Sequence, residues 1–465
     1  MRNGYFIQSG IKGNDIQEIT KFLEKVKPSS IVLMRENFNN SGELKKIIHE
    51  IKRLYRINLN IDEPIFAIDQ EGGNVVRIRD INYIPSNYAL GKVNNINLTY
   101  YAAMLTGYEL NINGINWNLA PDLDILKNLE NKVMLERSFS EDTLKVANHG
   151  IAYIKGISKA GIASTAKHFP GHGYVESDTH EKLPTDNREY TEIINDMYPF
   201  SMAIKNNVNS MMMSHVLFSS IDDYPASLSS KFYSMLRNEL KFNGLIITDS
   251  VNMKAISDNY KINEIVNLSI NNGADIIECV DTDMALEIFE SMNNMQIKDV
   301  EKKILHIKNL IPDNLLKYRP PEDLMKIISY MSVEWKRAKI LNPENGIIFV
   351  FMPYSLTKVN SDINNNIKLL DELKGHGINY QVIDFDNFKD FKDKNKQIIF
   401  IGRNENFHEN YKIINDKSID NDCVYVSTSI NNDIGLLNEE IGYISAYSTK
   451  IDNITYAIYK IFGFS

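Results

Sequence analysis

Cysteine is scarce in this chain, with two in 465 residues. Cys279 and Cys423 lie far apart, each inside an apolar run, ADIIECV and CVYVS. That spacing excludes a disulfide framework and leaves two buried, inert strand thiols as the expectation. No apolar stretch approaches the ~20 residues a membrane-crossing helix requires, so no span is expected. The opening MRNGYFIQSG has neither the basic start nor the apolar segment of a secretory leader, which points to the cytoplasm. Excess positive charge is lacking too: 51 Lys and Arg stand against 60 Asp and Glu, a net charge of −9. No basic block carries interleaved aromatics, so nucleic acid is not an expected partner. Repeats of fixed period are missing, and Asn-rich pieces such as INNN are too short to be more than loops.

What the chain does have is a regular beat. Short β-branched or apolar runs recur as GYFIQSG, SIVLM, IFAIDQEGG, INWNLAPDLD, IASTAKHFPG, SMMMSH, LIITDS and ADIIECV, between residues 4 and 280. Segments with helical spacing lie between them, among them GELKKIIHEIKRL and DTLKVANHGIAYIKGI. Strand alternating with helix implies parallel strands joined by crossovers. Eight such units in roughly 280 residues match an α/β fold of the (β/α)8 TIM-barrel type, whose functional groups gather at the carboxyl ends of the strands. The polar residues at those ends are Asp69, Asp122, Lys167, His168, His215 and Asp249. Past residue 281 come further helical segments, then KYRPPEDL, where paired prolines mark a break. Beyond it IIFVFMP, YQVIDF, KQIIFIGR and CVYVSTS restart a strand-and-helix pattern of about 120 residues. The expected division is therefore 1–335 for the barrel with its trailing helices and 340–465 for a small C-terminal α/β domain, read as structural because its motifs hold no comparable cluster of reactive groups.

Three stretches could carry chemistry. KHFPGHGYVESDTH, residues 167 to 180, packs three of the nine histidines into one loop. PGHG forces turns, and Asp178 stands two residues before His180, a spacing at which the carboxylate fixes the imidazole tautomer and raises its basicity. His168, His172, His180 and Asp178 are also acceptable zinc ligands, although a Pro-Gly interruption between the first two histidines does not aim both rings one way. In GLIITDSVNMKA a hydrophobic strand delivers Asp249 to its end, as a helix N-cap or as a nucleophile for a glycosidic carbon. In AIDQEGGNVVRI, Asp69 and Glu71 would repel each other unless a cation such as Arg77 keeps one ionised. ERSFSED, with Arg137, is weak evidence alone.

Together these motifs resemble glycoside hydrolase family 3, specifically its β-N-acetylglucosaminidase branch. The likeness runs through DQEGGNVVR, GINWNLAPDLD, ERSFSED, KHFPGHG with its downstream DTH, MMMSHV, PASLS and ITDSVNM, in that order, over roughly residues 5 to 310. It implies Asp249 as nucleophile, His180 as acid and base with Asp178 as its partner, and sugar contacts from Asp69, Arg77, Arg137, Lys167 and His168. It implies no cofactor and no metal. The substrate it implies is a terminal β-linked N-acetylglucosamine on cell-wall (muropeptide) or chitin-type fragments, released with retention through a glycosyl-aspartate. Asn74, Trp117 and Asp122 depart from the family's usual residues, none at a position assigned to chemistry. Three rivals stand beside this reading: a phosphorylase sharing the intermediate, a metal-dependent hydrolase using His168, His172 and His180, and a sugar-binding protein without turnover. Oligomeric state has no signature in the sequence.

Overall fold

A computed structural model of the chain describes residues 3–131, 133–176, 183–292, 300–309, 319–321, 323–352, 373–374, 378–402, 408–428, 434–448 and 450–463. All eight expected runs of the first region form strands: β1 (Ile7–Ser9), β2 (Ser30–Val32), β3 (Ile65–Ile68), β4 (Trp117–Asn118), β5 (Ala163–Phe169), β6 (Ser210–Met213), β7 (Leu245–Thr248) and β8 (Ile277–Cys279). They lie in the order β8-β1-β2-β3-β4-β5-β6-β7, each pair parallel. A parallel bridge from Ile247 to Ile276 brings β7 beside β8, and the Val251 N–H donates to the Glu278 carbonyl at 2.9 Å, closing the circle into a barrel.

Local chemistry accounts for the surrounding helices. Ile16–Val26 and Ser41–Arg53 start at Asp15 and Asn40, whose side chains accept from backbone N–H groups of the first turn, as N-caps do. Ile96–Ile112 and Thr143–Lys159 pack against each other through small residues. A Cβ on Gly156 would sit 2.2 Å from the Tyr100 carbonyl oxygen, so only glycine permits this approach. Inside the barrel Trp117 is fully buried, its indole N–H donating to Thr165 Oγ1 at 2.7 Å and Ser210 Oγ at 3.0 Å. A large aromatic in a barrel interior needs such a partner for its one polar atom.

The second region is a separate six-stranded sheet: β9 (Glu334–Arg337), β10 (Ile347–Phe351), β11 (Tyr380–Asp384), β12 (Gln397–Gly402), β13 (Asp422–Ser427) and β14 (Gly442–Ser445). Its order is β9-β14-β13-β12-β10-β11, parallel except where β9 runs against β14. Alternate residues bury on opposite faces: Phe349, Ile399, Val424 and Ile444 on one, Val350, Phe400, Cys423 and Tyr443 on the other. This period of two marks a sheet covered on both sides. Because β9 begins at Glu334, ahead of the division expected at 335 to 340, we propose that the boundary falls just before it.

Among the described residues, one junction between the two units lies beside the cavity wall. Ser86 Oγ donates to the Tyr447 carbonyl at 2.8 Å, Ser448 Oγ to the Pro85 carbonyl at 2.6 Å, and the rings of Tyr88 and Tyr447 lie 5.5 Å apart. Tyr447 shares a small apolar cluster with Leu126, Val133, Met134 and Leu135 of the loop following β4. That loop is also a wall of the cavity described next.

Candidate active site

The carboxyl ends of the strands surround a cavity lined by Asp69, Glu71, Arg77, Arg137, Lys167, His168, Asp249 and Glu278 among polar residues, with Met34, Val133, Met134, Met212 and Met253 as apolar ones. Another cleft opens at the amino end of the barrel, beside Tyr5, Lys25, Tyr55 and Lys308. The reactive side chains converge in the first, the end at which barrels of this type carry their functional groups.

Asp69 follows β3 directly. The next residue, Gln70, is fully buried and works as a clamp: its Oε1 accepts from the N–H groups of Arg77 (2.9 Å) and Ile78 (3.1 Å), while its Nε2 donates to the Ile78 carbonyl (2.8 Å). The chain between turns through Gly72 and Gly73, both at positive φ. Arg77 is thereby folded back to 3.4 Å from Asp69. From the far side Lys167 donates to Asp69 at 2.8 Å and to Glu71 at 2.6 Å. Burial works to raise the Asp69 carboxyl, but Lys167 and then Arg77 outweigh it and hold it well below the ordinary range. Lys167 keeps one of its three N–H donors beyond these two bonds.

Arg137 grips Glu71 with a two-point fork, Nε to Oε2 and Nη2 to Oε1, both 2.9 Å. Against its own burial, Arg137 and Lys167 bring Glu71 down to about 2. Nη2 of Arg137 also lies 3.2 Å from His168 Nε2. A guanidinium can only donate, so Nε2 is the acceptor and the ring proton sits on Nδ1, which faces Asp124 Oδ2 at 2.7 Å. Burial, then Arg137, keeps His168 well below the usual histidine value and therefore neutral. Asp124 accepts further from the backbone N–H groups of His168 (3.2 Å) and His172 (2.7 Å). Burial nonetheless pushes it up to about 7, and pushes Asp122 up with Asp124's charge as the next cause, so these two fully buried acids carry fewer than two charges.

The PGHG turn is fitted to its neighbour. A Cβ on Gly173 would meet the Ile125 carbonyl oxygen at 1.8 Å, and the Gly173 carbonyl accepts from Lys127 and Asn128. Asn131 Nδ2 donates to the His172 carbonyl at 2.8 Å. Past this turn the outgoing chain is tied at Thr185–Asp186, which pairs with Leu217–Phe218.

Asp249 ends β7 half-buried, its Oδ1 accepting from the Ser250 N–H at 2.8 Å. His215 holds the next peptide. The Ser250 carbonyl, 3.1 Å from His215 Nε2, can only accept, so that nitrogen carries the proton and Nδ1 accepts from Ser227 Oγ at 2.7 Å. Glu278, on β8, is 4% exposed and raised well above an ordinary glutamate, first by burial and then by Asp69 and Asp249.

Among the described residues, one group of three metal-ligating side chains lies close enough to share an ion: Asp122, Asp124 and His168. It fits a cation poorly. His168 has one ring nitrogen on Asp124 and the other on a guanidinium, and Arg137 Nε stands 3.6 Å from Asp122.

This constellation sits inside a region with known relatives. Residues 7–310 match the model for the glycosyl hydrolase family 3 N terminal domain. The chain belongs to glycoside hydrolase family 3. A beta-hexosaminidase of Photobacterium profundum is 31% identical over 311 residues, covering 66% of this chain and 90% of the relative. A glycoside hydrolase family 3 beta-N-acetylglucosaminidase from Paenibacillus sp. str. FPU-7 shares the fold with a TM-score of 0.88 at 24% identity, over 99% of this chain and 96% of that one. NagZ from Neisseria gonorrhoeae, solved in complex with N-trifluoroacetyl-D-glucosamine, aligns at a TM-score of 0.62 and 26% identity, over 70% of this chain and 97% of that one. The Paenibacillus likeness extends through the second sheet, so the two-unit architecture is common to both.

In this family 3 chain the barrel brings Asp69, Arg77, Arg137, Lys167, His168 and Asp249 around one cavity. Asp178 and His180 lie outside the described residues. Glu71, noted in the sequence only as a neighbour of Asp69, is the hub joining Arg137 to Lys167. Asp124 went unnoticed beside Asp122, although two acids separated by a single residue at a strand end are a signal. Glu278 was hidden in ADIIECV, where a charged residue inside an apolar run was the sign to follow.

Proposed function

We propose that this family 3 chain is a retaining exo-β-N-acetylglucosaminidase. The observation that carries the reading is the pairing, in one cavity, of a half-buried carboxylate at the end of β7 with the Asp69 carboxylate cradled by Lys167 and Arg77. In a 2-acetamido sugar the only adjacent free hydroxyls are O3 and O4, and an ionised carboxylate beside a lysine accepts from one and supports the other. Charge-assisted bonds of this kind are the strong ones. Such a grip orients the ring with its anomeric carbon toward the remaining carboxylate, Asp249. The names of the hexosaminidase and glucosaminidase relatives, and the acylated glucosamine bound by the gonococcal protein, agree with an amino-sugar substrate.

In the first step an Asp249 oxygen attacks the anomeric carbon while His180, oriented by Asp178, gives its proton to the leaving glycosidic oxygen. A covalent glycosyl-aspartate results. In the second step His180 takes a proton from water, water attacks the same carbon, and Asp249 is released as carboxylate with retention. An imidazole with an ordinary value near 6.5 serves both directions around neutrality. His168, neutral and locked between Asp124 and Arg137, cannot serve as this base; it lines the cavity and holds Arg137 in place there. The substrates we infer are terminal β-linked N-acetylglucosaminides of cell-wall or chitin-type fragments.

The test is turnover of an aryl β-N-acetylglucosaminide, with and without phosphate, followed by trapping with a slow fluorinated substrate and peptide mapping. Free N-acetylglucosamine as product and label on Asp249 are expected. Sugar 1-phosphate as the dominant product would replace hydrolysis by phosphorolysis, and label on another residue would overturn the mechanism.

A further inference from the structure

Glu278 has no part in the scheme above, yet it lines the cavity with Asp69 and Asp249. Its Oε2 is buried and finds no hydrogen-bond partner among the described residues. Leaving a buried polar atom in that state is unfavourable and is normally tolerated only where something else completes the bond. Placement suggests what that is. β8 is the neighbour of β7, whose end bears Asp249, whereas Lys167 and His168 come from β5 and Arg137 from the loop after β4, on the other side of the barrel. Next to β8, β1 offers the buried, uncharged Gln8, in register with Glu278. Glu278 therefore borders the cavity on the Asp249 side, where the reading above places the anomeric carbon, and none of the cationic donors among the described residues bonds its Oε2.

We propose that Glu278 is a specificity-determining residue, its unpaired carboxyl oxygen hydrogen-bonding an oxygen-bearing substituent of the sugar on the β8 side. This rests on the amino-sugar reading of the cavity. A ring whose O3 and O4 are held by Asp69 and Lys167 has two polar substituents left near C1, the 6-hydroxyl and the 2-acetamido carbonyl. Both accept a hydrogen bond. Burial, Asp69 and Asp249 raise the carboxyl, while Lys167 and Arg77 work the other way and are outweighed, so Glu278 stays protonated and presents an O–H donor. As pH climbs through the raised value, the donor is lost and a further negative charge appears beside two carboxylates, so substrate affinity falls on the alkaline side.

The experiment compares the parent, Glu278→Gln and Glu278→Leu on an aryl β-N-acetylglucosaminide and on its 6-deoxy and N-deacetylated analogues, with KM and kcat followed over pH. Glu278→Leu should raise KM about five- to tenfold on the full substrate, the scale of one neutral hydrogen bond. On whichever analogue lacks the contacted oxygen the penalty should vanish, which names the substituent. Glu278→Gln, which keeps a neutral donor, should recover most of the affinity and lose the alkaline rise in KM. An unchanged KM in Glu278→Leu, or an equal penalty on all three substrates, would overturn the proposal, the second outcome marking a structural role. If Glu278→Leu does not fold, the pH profile of Glu278→Gln decides: persistence of the parent's alkaline limb counts against a Glu278 contact. Calorimetric binding of free N-acetylglucosamine to the same proteins needs no turnover, so failure of the catalytic reading is separable from failure of this one.

Discussion

Replacing Glu71 by glutamine tests the electrostatic frame of the site most directly. Glu71 is 1% exposed and binds two cations, through the Arg137 fork at 2.9 Å and Lys167 at 2.6 Å. Its fall from an ordinary 4.5 to about 2 corresponds to roughly 3 kcal/mol favouring the ionised form in the folded state. Almost no solvent screens that interaction. Glutamine keeps the shape but leaves Arg137 and Lys167 short of an anion, and breaking a buried pair on one side costs about 3 to 5 kcal/mol. The chain has two tryptophans, Trp117 inside the barrel and Trp335 in β9. In a Trp335→Phe background, fluorescence therefore reports barrel unfolding alone. With a urea slope of about 3 kcal/mol per molar, the Glu71→Gln midpoint should drop by about 1 M at pH 7. Because the folded value is depressed, this stabilisation is fully present above 4.5 and disappears as pH falls through 2, so the gap between the two proteins should shrink to less than about half by pH 3. A loss under about 1 kcal/mol at pH 7, or a gap that does not change with pH, would refute the reasoning.

Asp69→Asn should lower kcat/KM by about 10- to 150-fold, the loss of one charged hydrogen bond at about 1.5 to 3 kcal/mol, and a change under about threefold in steady-state kinetics would remove Asp69 from the sugar grip. Tyr447→Ala should destabilise the protein by about 3 to 5 kcal/mol in calorimetry and raise KM, since Tyr447 backs Val133 and Met134 of the cavity wall; a stability loss with wholly unchanged KM would show that the second sheet does not support the site. Treatment with a strong chelator should leave turnover unchanged, because both ring nitrogens of His168 are engaged by Asp124 and Arg137; activity lost to chelator and restored by zinc would revive metal-assisted hydrolysis.

Much of the architecture is legible in the sequence. A barrel strand that is buried on both sides writes itself as a short apolar run, and its carboxyl end is by construction the next residue or two. Asp69, Lys167, His168 and Asp249 could be picked out for that reason, since position along the chain and position at the mouth are the same fact. The second sheet was legible through the same alternation, but its first strand was not. Glu334–Arg337 has exposed or half-buried side chains, being an edge strand, and carries no apolar run to betray it.

The sequence by itself determined the beat of strands and helices, the residues that end each strand, and a family likeness spread over those ends, because each of these is encoded within a few neighbouring positions. Only the tertiary structure decided who holds whom. Glu71 meets Arg137 across 66 residues, Lys167 meets Asp69 across 98, and His168 meets Asp124 across 44. No local pattern records such pairings, since they arise when strands far apart in the chain become neighbours around a closed barrel. Protonation followed from those contacts: burial and the sign of the nearest charge made His168 neutral, Asp69 a fixed anion and Glu278 a carboxylic acid, three states that composition and spacing leave open.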